Sequence, residues 1–291
     1  MLCVGVAARR GWAWMGVGGR LCSTSMIEEG REKLKELGEG EVTLEKDGES
    51  GVATITLRNA KRRNALSGRM MVQLADITHT LSACQDTKIV TLQADGEYFC
   101  SGGDLTTVRA ICNPRDGLLM STLMHDTLTR LHTLTAPSVC LVHGPAIGGG
   151  AELTTATDFR IFTETGNISF VQGSMGVVTG WGGGTRLTRL VHYPTALDLL
   201  LTGRKIEAEE AIKIGLADFI VDSETRFAAV GEWVKVRSGH VGEVVRGFKT
   251  ITMGARDLPA GESLAEERGV FSPLWGGPAN LKALGKNIKH R

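Results

Sequence analysis

Two glycine-rich turns limit what this 291-residue chain can fold into more than any other feature. One is Tyr98-Phe99-Cys100-Ser101-Gly102-Gly103-Asp104-Leu105. The other is Val142-His143-Gly144-Pro145-Ala146-Ile147-Gly148-Gly149-Gly150-Ala151-Glu152-Leu153. Each follows a short apolar run with strand character, at 89–92 and 138–142, and each opens onto a segment with helical spacing. A strand that passes into a helix through glycines leaves free backbone N–H groups at the positive end of that helix. Glycine is required where the backbone itself must approach a ligand. Taken singly, each segment is also an ordinary tight turn with a helix start. Taken as a pair, they can aim two N–H donors at one oxygen, as an oxyanion hole does.

The rest of the chain frames these turns. Residues 27–38 are charged and end on Gly38, which predicts a short helix. Residues 42–44 and 52–57 alternate on either side of Asp47-Gly48, a hairpin signature. Helical spacing is expected over 70–84 and along one long stretch from 105 to 132. A strand is expected at 159–162, and helices at 185–191, 196–201 and 208–214. The last 70 residues are mostly helical in pattern. No repeat with a consensus motif is visible. This order fits an α/β class, and periodicity alone suggests nothing more specific than a doubly wound sheet.

Composition excludes more than it identifies. The chain has a net charge of +1 with dispersed Lys and Arg and only 5% aromatic residues, which is not a nucleic-acid surface. The basic run Lys61-Arg62-Arg63 is either a solvated loop or a phosphate contact for a small ligand. Six cysteines, Cys3, Cys22, Cys84, Cys100, Cys112 and Cys140, form no C-x-x-C pair and no zinc spacing, so buried free thiols are expected. No apolar stretch is long enough to span a membrane. The first 27 residues carry Arg9, Arg10 and Arg20 and no acid, which fits a mitochondrial presequence or a plain tail equally well. There is no Walker loop, no G-x-S-x-G elbow and no complete dinucleotide turn, and the seven histidines are scattered.

The two turns together closely resemble the enoyl-CoA hydratase/isomerase (crotonase) family, whose F-x-[SA]-G-x-D-[LI] and G-x-[AC]-x-G-G-G-x-E-[LI] motifs they match. Arg63-Asn64-Ala65-Leu66-Ser67 and Gly182-Gly183-Gly184-Thr185-Arg186-Leu187 match in the same order, so the resemblance covers residues 50 to 220. It implies a ββα spiral core at 41–220, a leader and short helix at 1–40, and a helical trimerisation region at 221–291. It implies the N–H groups of Gly103 and Gly149 as the oxyanion donors, with Glu152 as the acid. It places the acyl-CoA substrate against Arg62, Arg63, Ala65, Leu66, Ser101, Asp104, Leu105, Gln172, Thr179 and Trp181. No metal or organic cofactor is implied, since coenzyme A arrives with the substrate. A homotrimer or hexamer in the cytosol is implied, with the mitochondrial matrix as the alternative from the leader.

Two departures narrow the reaction. Family hydratases hold water with two glutamates; Glu152 matches the first, but Gln172 stands where the second belongs. An amide cannot exchange a proton as a carboxyl does. The family's usual proline before the glycine loop is replaced by Thr179-Gly180-Trp181, and Trp275-Gly276-Gly277-Pro278 replaces the usual C-terminal pattern. These segments resemble the branch of the family that decarboxylates alkylmalonyl thioesters, with an ethyl substituent preferred over methyl. Both Trp181 and Trp275 also suit core packing. A hydratase or isomerase relying on Glu152 alone, and a non-catalytic acyl-CoA binder, are the alternatives.

Overall fold

The computed structural model describes residues 17–286. The chain opens with α1 (Val17–Leu34), which starts ten residues before the helix expected at 27–38. The leader reading falls largely on residues 1–16, which lie outside the described residues. The Asp47-Gly48 turn joins β1 (Glu41–Asp47) to β2 (Val52–Arg58), paired antiparallel from Glu41↔Arg58 to Asp47↔Val52. A short 3-10 turn at Ala60–Arg62 leads to α2 (Gly68–Ser82), capped by Ser67 through the Met70 N–H. Then come β3 (Ile89–Ala94), α3 (Leu105–Ala110) and α4 (Pro114–Thr133).

The expected single helix over 105–132 is therefore two. Asn113 accepts a hydrogen bond from Asp116 N, and Pro114 sits in the first turn of α4. Proline suits a helix start but not an interior, and asparagine is a strong N-cap, so the pair ends one helix and begins another.

The second half runs β4 (Ser138–Val142), β5 (Pro145–Ile147), α5 (Gly149–Thr154), β6 (Phe159–Thr163) and β7 (Asn167–Ser169). A 3-10 turn at Val171–Met175 precedes α6 (Gly183–Leu190), α7 (Tyr193–Thr202), β8 (Ile206–Glu207), α8 (Ala208–Lys213) and β9 (Phe219–Val221). Four helices close the described chain: α9 (Arg226–Arg237), α10 (Gly242–Asp257), α11 (Ala260–Leu274) and α12 (Pro278–Leu284).

The large sheet has the order β1-β2-β3-β4-β6-β9 and is parallel from β2 onward. Each new strand adds to the same edge, so the order never reverses. The generic expectation of a doubly wound sheet is corrected on that point, because a doubly wound sheet reverses its strand order at a switch point. A smaller sheet, β5-β7-β8, is extended by the bridges Leu66↔Gly103 and Cys100↔Ala146. Successive turns of chain thus contribute a strand to the large sheet, a strand or bridge to the small one, and a helix. This is the ββα spiral that the family resemblance implied. β9 continues the large sheet across the boundary expected near residue 220.

The inner strands β3, β4 and β6 are buried on both faces. Ile55, Leu57, Leu92, Val142 and Phe162 join Leu74, Leu81, Leu123 and Leu128 in one core. Ile89, Val139, Leu141 and Ile161 face Val230, Trp233 and Val234 of α9 in a second. Each such side chain contributes roughly 1.5–3 kcal/mol by leaving water. α10 is fastened by the buried Lys249, which donates to the Asp158 carboxylate and to the His132 carbonyl. Of the described free cysteines, Cys100 and Cys140 are buried, Cys84 is half-buried and Cys112 is exposed. Burial pushes the Cys100 thiol up to about 12.

His132 introduces a pH dependence. Burial, reinforced by the nearby Arg256 and Lys249 cations, pushes its imidazole down to about 4 from 6.5, and its Nδ1 is buried without a partner among the described residues. Between those values the unfolded chain binds the proton and the folded chain does not. Stability present above pH 6.5 is therefore lost as the pH falls toward 4. Thermal unfolding midpoints should fall across that window, and His132→Gln should flatten the fall. Part of the slope should remain, because burial also lowers His143.

Candidate active site

The two glycine turns meet. Leu66 N donates to Gly102 O at 2.7 Å and Asp104 N donates to Leu66 O at 2.9 Å, which fixes the backbone on either side of Gly103. Cys100 N donates to Pro145 O at 3.2 Å, and Ile147 N donates to Cys100 O at 2.8 Å, which ties the first turn to the second. Gly102 and Gly148 adopt φ of +97° and +55°, where an L side chain is strained. A Cβ on Gly102 would lie 3.2 Å from Gly149 N, and one on Gly150 only 2.1 Å from Cys100 O. The backbones approach this closely because no side chain intervenes. Gly149 is the first residue of α5, so its N–H has no preceding turn to bond to. Among the described residues, neither Gly103 N–H nor Gly149 N–H donates a hydrogen bond.

One aromatic ring closes over both turns. A Cβ on Gly149 would come within 2.4 Å of Trp181 Cζ3, and one on Gly103 within 3.9 Å of Trp181 Cζ2. Trp181 is only 4% exposed. Its indole Nε1 lies 3.0 Å from Met120 Sδ on α4.

Glu152 is 1% exposed and fully bonded. Its Oε1 accepts from Gln172 Nε2 at 2.9 Å and Gly180 N at 3.2 Å. Its Oε2 accepts from Trp181 N and Gly183 N, both at 2.8 Å. A carboxylate offers about four acceptor sites, and here N–H donors occupy them. Both oxygens of the residue expected as the acid are therefore bonded to Gln172 and to the 180–183 backbone. Gln172 points its amide nitrogen at Glu152; its Oε1 is buried and has no partner among the described residues.

The loop at 179–183 is held from other sides as well. Ser121 Oγ donates to Gly180 O at 2.6 Å, and Gly184 N donates to Thr179 Oγ1 at 3.3 Å. Arg186, buried on α6, donates to Trp181 O at 2.6 Å and to Thr155 Oγ1 at 3.0 Å. Burial pushes its guanidinium down to about 10 against the opposing attraction of Glu152. Met120, Ser121 and Arg186 were absent from the set expected from sequence. Met120 and Ser121 meet the 180–181 loop across some 60 residues of chain, and Arg186 folds back onto it from α6, contacts that no local pattern reports.

The other expected residues lie around the first turn. Arg62 and Arg63 are exposed, Arg63 over the Tyr98 ring at 5.0 Å and Arg62 at 3.9 Å from Asp104. Ser101 N donates to Arg63 O at 3.0 Å. Ala65 and Leu66 are buried, and Leu105 is exposed. Asp104 is buried and serves as the N-cap of α3, its Oδ1 accepting from Thr107 N at 3.0 Å. That bond gives it a structural duty where a ligand contact was expected. Asn64, at φ +51°, also escaped the expected set; it accepts from Asn59 N and donates to Asp95 O and Tyr98 O, locking the basic loop to the turn. The signal available in the sequence was an asparagine directly after a basic run, a residue that tolerates the left-handed region. Trp275 is 70% exposed beside Phe271 on α11, so core packing accounts for Trp181 and not for Trp275.

The family model described as enoyl-CoA hydratase/isomerase matches residues 47–272. The ethylmalonyl-CoA decarboxylase of Rattus norvegicus is 40% identical over 266 residues, covering 90% of this chain and 89% of that protein. The Danio rerio protein of that name is 41% identical, covering 90% and 88%. Among solved structures, an enoyl-CoA hydratase of Mycobacterium smegmatis superposes with a TM-score of 0.79 at 24% identity, over 84% of this chain and 94% of that one. A Thermobifida fusca YX protein in complex with acetoacetyl-CoA superposes with a TM-score of 0.74 at 28% identity, over 85% and 97%.

Proposed function

The chain belongs to the enoyl-CoA hydratase/isomerase family, and from that premise we propose that it removes carbon dioxide from an alkylmalonyl thioester of coenzyme A, ethylmalonyl-CoA ahead of methylmalonyl-CoA. The observation that carries this reading is the pair of N–H groups at Gly103 and Gly149 that, among the described residues, have no partner and lie under an apolar ring, with Gln172 rather than a second carboxylate bonded to Glu152. The thioester oxygen sits between the two donors. As the bond to the carboxylate carbon breaks, its electron pair moves onto that oxygen and carbon dioxide leaves. The resulting enolate takes a proton from water at the α-carbon and becomes the saturated acyl-CoA, leaving hydroxide to the solvent. Each donor in such a hole is worth about 2.7–4 kcal/mol of barrier. The thioester carbonyl is itself the electron sink, so the step requires no metal or organic cofactor.

The substrate carboxylate lies against Trp181, where loss of its hydration favours loss of its charge. Arg62 and Arg63 hold the phosphates of coenzyme A at the mouth of the site, with Ser101, Ala65 and Leu66 beside them. Exposed Phe248, Leu264, Phe271, Trp275 and Leu281 on the closing helices support assembly as a trimer or a dimer of trimers. Among the described residues no helix is long and apolar enough to cross a membrane. A cytosolic role in clearing unwanted alkylmalonyl thioesters rests on the likeness to the decarboxylases.

The test is carbon dioxide release from a panel of malonyl, methylmalonyl and ethylmalonyl thioesters, with crotonyl-CoA alongside. Ethylmalonyl-CoA should yield butyryl-CoA fastest, and crotonyl-CoA should not be hydrated efficiently. Efficient hydration without carbon dioxide release would make the chain a hydratase working through Glu152. Binding of the thioesters with neither reaction would make it an acyl-CoA binder.

A further inference from the structure

We propose that Glu152 is a positioning residue, and that what it positions is Trp181, the ring that decides which α-substituent fits beside the two glycine donors. The proposal deepens the decarboxylase reading and rests on it for the location of the substrate.

Three observations converge. First, Glu152 is spent on the 180–183 backbone: it accepts from Gly180 N, Trp181 N and Gly183 N. The side chain fits only because position 183 is glycine, since a Cβ there would lie 2.4 Å from Glu152 Cγ. Second, the residue fastened by these bonds touches both donor turns. Its ring lies closer to Gly149 than a methyl group would allow and reaches to within 3.9 Å of a Cβ on Gly103. Third, the ring has little freedom. Glu152 holds Trp181 N, Arg186 holds Trp181 O, and Met120 Sδ meets Nε1. A thioester whose oxygen sits between Gly103 and Gly149 must place its α-carbon and substituent next to that ring. A shift of about 1 Å in such a wall is enough to disturb a reacting geometry.

An acid and a positioning residue predict different things of Glu152→Gln. The amide keeps one acceptor oxygen but turns an NH2 group toward backbone N–H donors, so at least one fastening bond is lost. The ring is then freed, and acyl selectivity changes. An acid that loses its proton leaves selectivity alone.

The experiment measures calorimetric affinities for acetyl-, propionyl-, butyryl- and hexanoyl-CoA in the wild type, Glu152→Gln, Trp181→Ala and the double variant. Amide hydrogen exchange over 179–184 is read on the same proteins. Trp181→Ala is expected to shift the preference toward longer chains by about tenfold per step gained, the scale of a methylene in an apolar pocket. Glu152→Gln should shift it the same way and speed exchange in that segment, and the double variant should add little to either single change. A Glu152→Gln protein with wild-type chain-length order and wild-type exchange, slowed only in deuterium delivery to the α-carbon, would overturn the proposal and restore Glu152 as the acid. Should Glu152→Gln not fold, Trp181→Phe carries the specificity claim. Its smaller ring should favour hexanoyl-CoA, and an unchanged order would overturn that claim. These affinities are independent of turnover, so a chain that failed to decarboxylate anything would still give a decisive result here.

Discussion

Gly149→Ala is expected to lower carbon dioxide release from ethylmalonyl-CoA by at least about a hundredfold, the scale of losing one oxyanion donor. The substitution keeps the N–H, so the loss must come through geometry. The new methyl carbon would stand 2.4 to 2.8 Å from three atoms of the Trp181 ring, closer than real side chains approach one another. The ring cannot swing aside cheaply, because its backbone is bonded on both sides and its Nε1 meets Met120. The clash is relieved by moving the start of α5, which carries the donor. Two further variants separate the causes. Trp181→Gly added to Gly149→Ala should recover part of the rate by removing the obstacle. Gly149→Pro lacks the N–H and should stay inactive whatever stands at 181. Single-turnover release measured on all three checks this. A Gly149→Ala rate within threefold of wild type would mean that the reacting oxygen lies elsewhere.

The parts of the site visible in the sequence were those built from backbone. A donor made by a glycine turn needs a glycine in a fixed local order, and that order can be read directly. The Asp47-Gly48 hairpin was visible from its turn residues, and the strands expected at 89–92 and 138–142 from their apolar runs. The second sheet was not, because β5 and β7 have three residues each and β8 two, too few to show a period. The long helix expected over 105–132 had the right period, but the Asn113-Pro114 cap outweighed it. The role of Glu152 was hidden by distance. Its partners lie 20 to 31 residues away along the chain, and only the fold brings their N–H groups to one carboxylate. A motif match identified the residue and suggested proton transfer; the bonds indicate attachment. Trp275 illustrates the opposite case, since a distinctive segment in the sequence stands on an exposed face of the closing helices.

Arg186 provides the second large effect, on stability. It is buried on α6, three positions before the exposed Arg189, and both are arginines beside acids. Arg189 meets Asp257 at 3.1 Å with its side chain 59% exposed, so Arg189→Met should cost less than about 1 kcal/mol. Arg186→Met should cost about 1–3 kcal/mol, because it leaves Trp181 O and Thr155 Oγ1 buried without their donor. Urea unfolding of the two variants measures the difference directly. Arg186→Lys should fall between them: it keeps the charge, but its ammonium lacks the planar fork that reaches Trp181 O and Thr155 Oγ1 together. Turnover should follow the same order, since the carbonyl released is that of the residue over the donor turns. If Arg186→Met proved no more costly than Arg189→Met, the N–H bonds to Glu152 would be sufficient to hold the loop. The loop would then be fastened by backbone dipoles alone, with the guanidinium serving only to fill space beneath it.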